Sequence, residues 1–259
     1  MQLNGVPPSL DQIKALALTN YGHFTSMLAE GGRVRGLSLH MQRLAHDCRL
    51  LFDVALDVDR VRDYLRRALS DAAPCAVARV TVYDPGLDLG TIGSDAVPHV
   101  LVTTRPATSS PASPLRLQTS SYRRELPAVK HIGLFGALRC RRTAQREGYD
   151  DVLFLNPDGT ISELATSNIG FVRGGQIIWP HSEWLPGVTM KLLNQVLKKP
   201  ARTERITISD LSNMEFAFAT NAATGVRPVL SIGGHTWPTH SPLADQLKSL
   251  YLKTPKEGI

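Results

Sequence analysis

The amino-acid sequence predicts an α+β fold in two domains, and three observations carry that expectation. Segments that alternate apolar and polar residues, as strands do, are mixed with segments whose apolar residues recur at helical spacing. Residues 106–114, Pro-Ala-Thr-Ser-Ser-Pro-Ala-Ser-Pro, carry too much proline and serine to sustain a helix or a central strand. A chain of 259 residues is long enough to build a separate core on each side of that linker. The expected domains are therefore 1–105 and 115–259.

In the first domain, Phe24 to Ala29, the glycine pair Gly31-Gly32 and Val34-Arg35 predict a strand, a turn and a second strand. Leu39 to Leu51 and Val58 to Ala73 have helical periodicity. Ala78 to Tyr83 and His99 to Thr104 alternate as strands, and the Gly- and Asp-rich stretch Asp84 to Pro98 between them reads as a loop. In the second domain, Leu115 to Thr119 reads as a strand and Phe135 to Gly148 as a helix. Asp151 to Leu155, Thr160 to Glu163, Asn168 to Val172 and Gln176 to Pro180 predict a meander of short strands, turning first at Asn156-Pro157-Asp158-Gly159. Val188 to Leu197 and Pro242 to Leu252 predict helices; Phe216 to Thr220 and Pro228 to Ile232 predict strands. No internal repeat is present.

Composition narrows the function. With 42% hydrophobic and 20% charged residues, the chain has the make-up of a soluble globular protein, and no apolar run is long enough to span a bilayer. The amino-terminal residues offer neither a charged nor an apolar leader segment, so a cytoplasmic location is expected. Cys48, Cys75 and Cys140 are widely spaced, match no metal-ligand pattern and read as free thiols. The net charge of +6 comes from dispersed basic residues interleaved with acids. Together with only 6% aromatics, that argues against nucleic acid and suits an enzyme with anionic cofactor and substrates.

The chemistry concentrates in two segments. Lys130 stands in the apolar run Leu126-Pro127-Ala128-Val129-Lys130-His131-Ile132-Gly133-Leu134-Phe135-Gly136, and Glu163 follows it by 33 residues. A partly desolvated amine and an inward carboxylate are what a pyridoxal phosphate enzyme requires. The amine forms the Schiff base, and the carboxylate keeps the pyridine nitrogen protonated. Taken alone, each residue has an ordinary reading, a surface lysine with a buried stem and an exposed strand glutamate. However, Glu163 ends a turn and strand that would aim it inward, and it opens Glu163-Leu164-Ala165-Thr166-Ser167-Asn168-Ile169.

That segment resembles the signature of the class IV (fold-type IV) pyridoxal phosphate enzymes, which include branched-chain and D-amino acid aminotransferases and aminodeoxychorismate lyase. Three further segments follow the family's order. Leu185-Pro186-Gly187-Val188-Thr189, opening a helix, is similar to the phosphate-binding turn, where backbone amides, the helix dipole and a hydroxyl meet an anion. Arg43, in His40-Met41-Gln42-Arg43-Leu44, matches the family's phosphate arginine, whose planar fork suits that ligand. Thr220-Asn221-Ala222-Ala223-Thr224-Gly225 resembles a second phosphate-side turn.

The resemblance implies a smaller amino-terminal α/β domain and a larger carboxy-terminal pseudo-barrel domain. It also implies pyridoxal 5′-phosphate as cofactor and a homodimer acting on a small amino donor and a 2-oxo acid acceptor. Carried over residue by residue, Lys130 is catalytic. Arg43, Lys130, Glu163, Asn168, Gly187, Val188, Thr189, Asn221, Ala222 and Thr224 hold the cofactor, and Tyr21, His23, Thr25 and Phe135 line the substrate pocket. The expected activity is transamination between an amino acid or amine and a 2-oxo acid. The alternatives are elimination of pyruvate from aminodeoxychorismate and a non-catalytic binding protein that keeps the fold.

Two positions depart from the branched-chain pattern. Phe135 stands where many branched-chain enzymes carry a tyrosine that contacts the cofactor's ring hydroxyl, and Thr25 stands where a glutamate is frequent. A phenyl ring offers no hydrogen bond to that oxygen. Transamination of leucine, isoleucine and valine with 2-oxoglutarate is therefore expected to be slow or absent in steady-state assays, and efficient turnover of the three would refute the reading of Phe135.

Overall fold

The computed structural model describes residues 1–107, 113–238 and 241–259, so residues 108–112 of the expected linker lie outside the described residues. In chain order the elements are β1 (Gln2–Leu3), α1 (Leu10–Leu18), β2 (His23–Glu30), β3 (Arg33–Arg35), α2 (Leu37–Phe52), α3 (Val58–Ser70), β4 (Cys75–Tyr83) and β5 (His99–Pro106). Then follow β6 (Leu115–Ser121), α4 (Phe135–Arg146), β7 (Asp151–Leu155), β8 (Ile161–Leu164), β9 (Asn168–Arg173), β10 (Gln176–Pro180), α5 (Val188–Val196) and β11 (Arg202–Glu204). A 3₁₀ turn over Ile208–Asn213 leads to β12 (Phe216–Asn221), β13 (Gly225–Ile232), β14 (His235–Thr236), α6 (Pro242–Leu252) and β15 (Lys256–Gly258).

The chain forms two compact units. The first gathers Met1–Ser110, Val129–Gly133 and Pro255–Ile259. Its sheet runs β1-β5-β4-β2-β3-β15, with every neighbouring pair antiparallel. Gly31 and Gly32, at φ +57° and +70°, supply the two left-handed residues that a tight β2–β3 hairpin demands. Helices α2 and α3 bury Leu37, Met41, Leu44, Cys48, Val61 and Leu65 against Met27, Ala29, Ala78, Val80 and Val82 on one face of the sheet. Three elements of this unit escaped the sequence reading, the two-residue β1 among them. Helix α1 has no fully buried residue and therefore a weak apolar stripe, although Ser9 and Gln12 form a capping box at its start. Strand β15 pairs with β3, a partner far away in sequence.

The second unit holds a sheet in the order β11-β10-β9-β12-β13-β6-β7-β8. The expected meander is corrected here. β7 pairs with β8 and β9 with β10, both antiparallel, but β8 and β9 share no ladder, and β12, β13, β6 and β7 stand between them in the order. The run Phe216-Ala217-Phe218-Ala219 is apolar on both faces, so β12 takes an interior position beside β9, while the four-residue β8 ends the sheet. One face packs Leu117, Leu153, Ile169, Phe171 and Val229; the other sets Trp179, Phe216 and Phe218 under α5 and α6.

Gly170 lies within that aromatic layer: a Cβ there would come 2.5 Å from Phe218 Cζ and 2.7 Å from Trp179 Cζ3. Gly170→Ala should lower the unfolding free energy in denaturant titration by about 1–3 kcal/mol through overpacking. An unchanged midpoint would show that the rings yield freely.

Candidate functional site

In the first unit, residues 129–133 behave as an added strand. The Phe24 N–H donates to the Lys130 carbonyl at 2.8 Å, the Ile132 N–H donates to the Gly22 carbonyl at 2.9 Å, and His23 bridges to His131. The Lys130 N–H donates to Asp47 Oδ2 at 3.0 Å. Lys130 is half-buried, and its Nζ stands 4.8 Å from the centroid of the Phe24 ring. The Arg79 guanidinium stands 3.6 Å from the same centroid. Its Nε donates to Thr81 Oγ1 at 3.2 Å, burial lowers its pKa, and among the described residues no carboxylate pairs with it. Arg79 was missed in the sequence. Its one signal is an arginine within Ala78-Arg79-Val80-Thr81-Val82, where alternation puts it on the face opposite the α2-covered core.

The same alternation divides the expected pocket strand. Phe24 points to the face shared with Lys130 and Arg79, whereas His23 and Thr25 point into the core beneath α2. Thr25 Oγ1 meets His40 Nδ1 at 2.6 Å, and the His23 ring packs 6.1 Å from Phe52. Burial pushes both histidines down to about 3, with the charges of Arg43 and Lys130 adding to the effect at His40. Arg43, half-buried, follows His40 on α2 by less than one turn. The Tyr21 hydroxyl donates to the Leu51 carbonyl at 3.1 Å, and its ring meets Phe52 edge-on.

In the second unit, Glu163 is 4% exposed and its carboxylate has two kinds of partner. Arg124 Nη1 stands 3.3 Å from Oε1, and the Leu185 N–H donates to Oε2 at 3.3 Å. Arg124 was also missed, since nothing local distinguishes it from Arg123. Asn168 Nδ2 donates to the Leu185 carbonyl at 2.8 Å. Leu185 thereby ties Glu163 and Asn168 to the turn that enters α5. Gly187 caps that helix, and a Cβ on it would collide with Asn168 Oδ1. Val188 and Thr189 form the first turn and are buried. Asn221 Oδ1 accepts from the N–H groups of Ala223 and Thr224 at 3.1 and 2.9 Å, its Nδ2 donates to Ser167 Oγ at 3.0 Å, and Ala222 is half-buried within this turn. Phe135, the first residue of α4, is 80% exposed.

Two atoms in the second unit suit an anion. Thr189 Oγ1, at the start of α5, and Thr220 Oγ1, at the end of β12, are buried and have no hydrogen-bond partner among the described residues. A buried hydroxyl without a partner is costly, and a helix N-terminus with a free hydroxyl is a ready phosphate site. These residues fit the phosphate of pyridoxal 5′-phosphate. Among the described residues, no cluster of three or more metal-binding side chains occurs.

The family model for amino-transferase class IV matches residues 22–232 of the chain. A probable branched-chain-amino-acid aminotransferase of Rickettsia bellii is 25% identical over 236 residues, which cover 83% of this chain and 81% of the relative. Among solved structures, a branched-chain aminotransferase from Thermoproteus uzoniensis superposes with a TM-score of 0.85 at 20% identity, covering 97% of this chain and 93% of the other. A putative 4-amino-4-deoxychorismate lyase from Legionella pneumophila gives 0.81 at 21% identity, covering 96% of each chain. At such identities the likeness to solved structures concerns the fold.

The two buried histidines set a pH dependence. Each stays neutral in the folded protein down to about 3 but accepts a proton in the unfolded chain below its usual 6.5. Their stability contribution is therefore complete above 6.5 and lost as pH falls towards 3, by up to about 1.4 kcal/mol per pH unit for each group. Chemical denaturation at stepped pH should show this decline, and His23→Phe should make it shallower. An identical slope in that variant would refute the assignment.

Proposed function

Because the chain belongs to the class IV aminotransferase family, it is a pyridoxal 5′-phosphate-dependent aminotransferase, and we propose that Lys130 carries the cofactor as an amino group passes between an amino acid or amine and a 2-oxo acid. The observation that supports this siting best is the pair of buried, unpartnered hydroxyls on Thr189 and Thr220. With the amides at the start of α5 and the Asn221–Thr224 turn, they would hold the phosphate, and the resemblance to the family gives the Arg43 guanidinium the same ligand.

Bound pyridoxal phosphate supplies an electron sink for the negative charge that develops on the substrate carbon. The protein would do the remainder. Lys130 Nζ would hold the cofactor and move the proton that leaves the substrate carbon. Glu163 would keep a pyridine nitrogen protonated, and Arg124 offsets the cost of keeping its carboxylate buried. Beside Phe24, the Arg79 guanidinium has no carboxylate partner among the described residues and is suited to a bidentate grip on the substrate carboxylate. That grip favours an amino acid over a simple amine.

Resemblance to the family supports a homodimer and a cytoplasmic location. Among the described residues, no helix is long and apolar enough to cross a membrane. Elimination of pyruvate would draw on the same residues, and a half-reaction with a panel of amino donors separates the two: transamination leaves the aminated cofactor on the enzyme and releases a 2-oxo acid.

The purified protein should be yellow, and borohydride should fix the cofactor on Lys130 by peptide mapping; a label on another lysine would overturn the siting. Lys130→Ala should abolish turnover with the fold intact. Arg43→Ala should weaken cofactor retention more than it slows chemistry, because its contact is equal in ground and transition states. Arg79→Ala should raise KM for carboxylate-bearing donors by about 10- to 100-fold, the effect of losing a charge-assisted hydrogen bond.

A further inference from the structure

Helix α2 presents three polar residues on one face, His40, Arg43 and Asp47, at spacings of three and four that align side chains on a helix. His40 is tied to Thr25, and Arg43 lies close enough for its charge to act on His40. Asp47 stands apart because it is an acid with 1% exposure, a state that is costly unless its oxygens are hydrogen-bonded. Both oxygens are used. Oδ1 meets His46 Nδ1 at 3.0 Å, and Oδ2 accepts the Lys130 backbone N–H at 3.0 Å.

The second contact bears on the reaction. The Lys130 carbonyl is already taken by the Phe24 N–H. The peptide groups on both sides of the Lys130 α-carbon are thus held, one by β2 and the other by the Asp47 carboxylate on α2. A lysine side chain is a flexible four-carbon stem, so the arc that Nζ sweeps is set by where its α-carbon is fixed. Residues 129–133 have no helix or longer ladder of their own to provide that fixity.

We infer that Asp47 is a positioning residue for Lys130: its buried carboxylate pins the Lys130 amide, so that Nζ returns to the same arc each time it leaves and re-engages the reacting atoms. The role rests on the reading of Lys130 as the cofactor lysine. It requires an acceptor oxygen at Oδ2, not a negative charge as such. Asparagine keeps the acceptor without the charge, and leucine keeps the branched shape without the acceptor.

The test compares Asp47→Asn, Asp47→Leu and Asp47→Ala in the full-length, cofactor-loaded enzyme. The readouts are kcat and KM for a turned-over amino donor, hydrogen exchange at the Lys130 amide, and the lysine that borohydride labels. Asp47→Leu and Asp47→Ala should lower kcat by about 10- to 100-fold, the scale of a misplacement near 1 Å. KM should change far less, and the Lys130 amide should exchange at least about tenfold faster once its acceptor is gone. Asp47→Asn should recover most of kcat and of the amide protection. If Asp47→Ala does not fold, Asp47→Leu preserves the packing and carries the comparison. A folded Asp47→Leu enzyme with unchanged kcat overturns the inference. So does a fall in kcat without faster exchange at Lys130, or an Asp47→Asn enzyme as slow as Asp47→Leu. Labelling of a different lysine in the wild-type enzyme refutes the reading of Lys130 instead, so the two failures are distinguishable.

Discussion

Two backbone hydrogen bonds, from Phe24 N–H to the Lys130 carbonyl and from Ile132 N–H to the Gly22 carbonyl, control most of what the first unit presents. They add five residues, otherwise without regular structure, to the start of β2 and so assign them to this unit. Each bond contributes only about 1 kcal/mol net, but leaving such a group buried and unpaired costs more, so the segment has one satisfactory register. That register carries Lys130 to the Phe24 side of the strand. It also gives the buried Asp47 carboxylate an N–H to accept, so a helix chosen for its apolar stripe acquires a polar task.

In the second unit the corresponding constraint is the buried pair of Arg124 and Glu163. Both side chains are at most 9% exposed, and desolvating two ions costs several kcal/mol that their attraction alone does not always repay. The Leu185 N–H supplies the extra hydrogen bond such a pair needs, and through the Leu185 carbonyl it also orients Asn168. Gly187 completes this arrangement because only a residue without a Cβ passes Asn168 Oδ1. A carboxylate stored in an apolar interior and a helix N-terminus with an unpartnered hydroxyl therefore follow from one short loop.

The legible parts of the fold were those written in local periodicity. The stripe of α2, the Gly31-Gly32 hairpin and the strand at Asp151 to Leu155 are each determined by residues within a dozen positions. Sheet order is not local, and there the sequence failed: β8 and β9 are neighbours in the chain, yet the doubly apolar β12 claims the place beside β9. The site divides in the same way. Glu163 and Asn168 share one short motif and Gly187 and Thr189 another, whereas Arg124 and Arg79 gain their meaning from partners or faces that no short window contains. The resemblance to the family gives His23 and Thr25 to the substrate pocket, whereas the strand's period of two turns both side chains beneath α2.

That division also argues for the kind of substrate. The Phe24 ring lies near two cations, Lys130 and Arg79, and Arg79 faces no acid among the described residues. Aromatic faces stabilise nearby cations by about 0.5–2 kcal/mol, which does not by itself offset the partial burial of a guanidinium. Neutral His40 behind the strand adds no further positive charge, since burial holds its pKa down to about 3. A surface that holds such a guanidinium is suited to a ligand that brings a negative charge. A planar fork of donors selects a carboxylate over a rounder anion by bidentate geometry. An amino acid or 2-oxo acid carries that group next to the carbon whose proton Lys130 would move, so the guanidinium and the chemistry call for the same molecule.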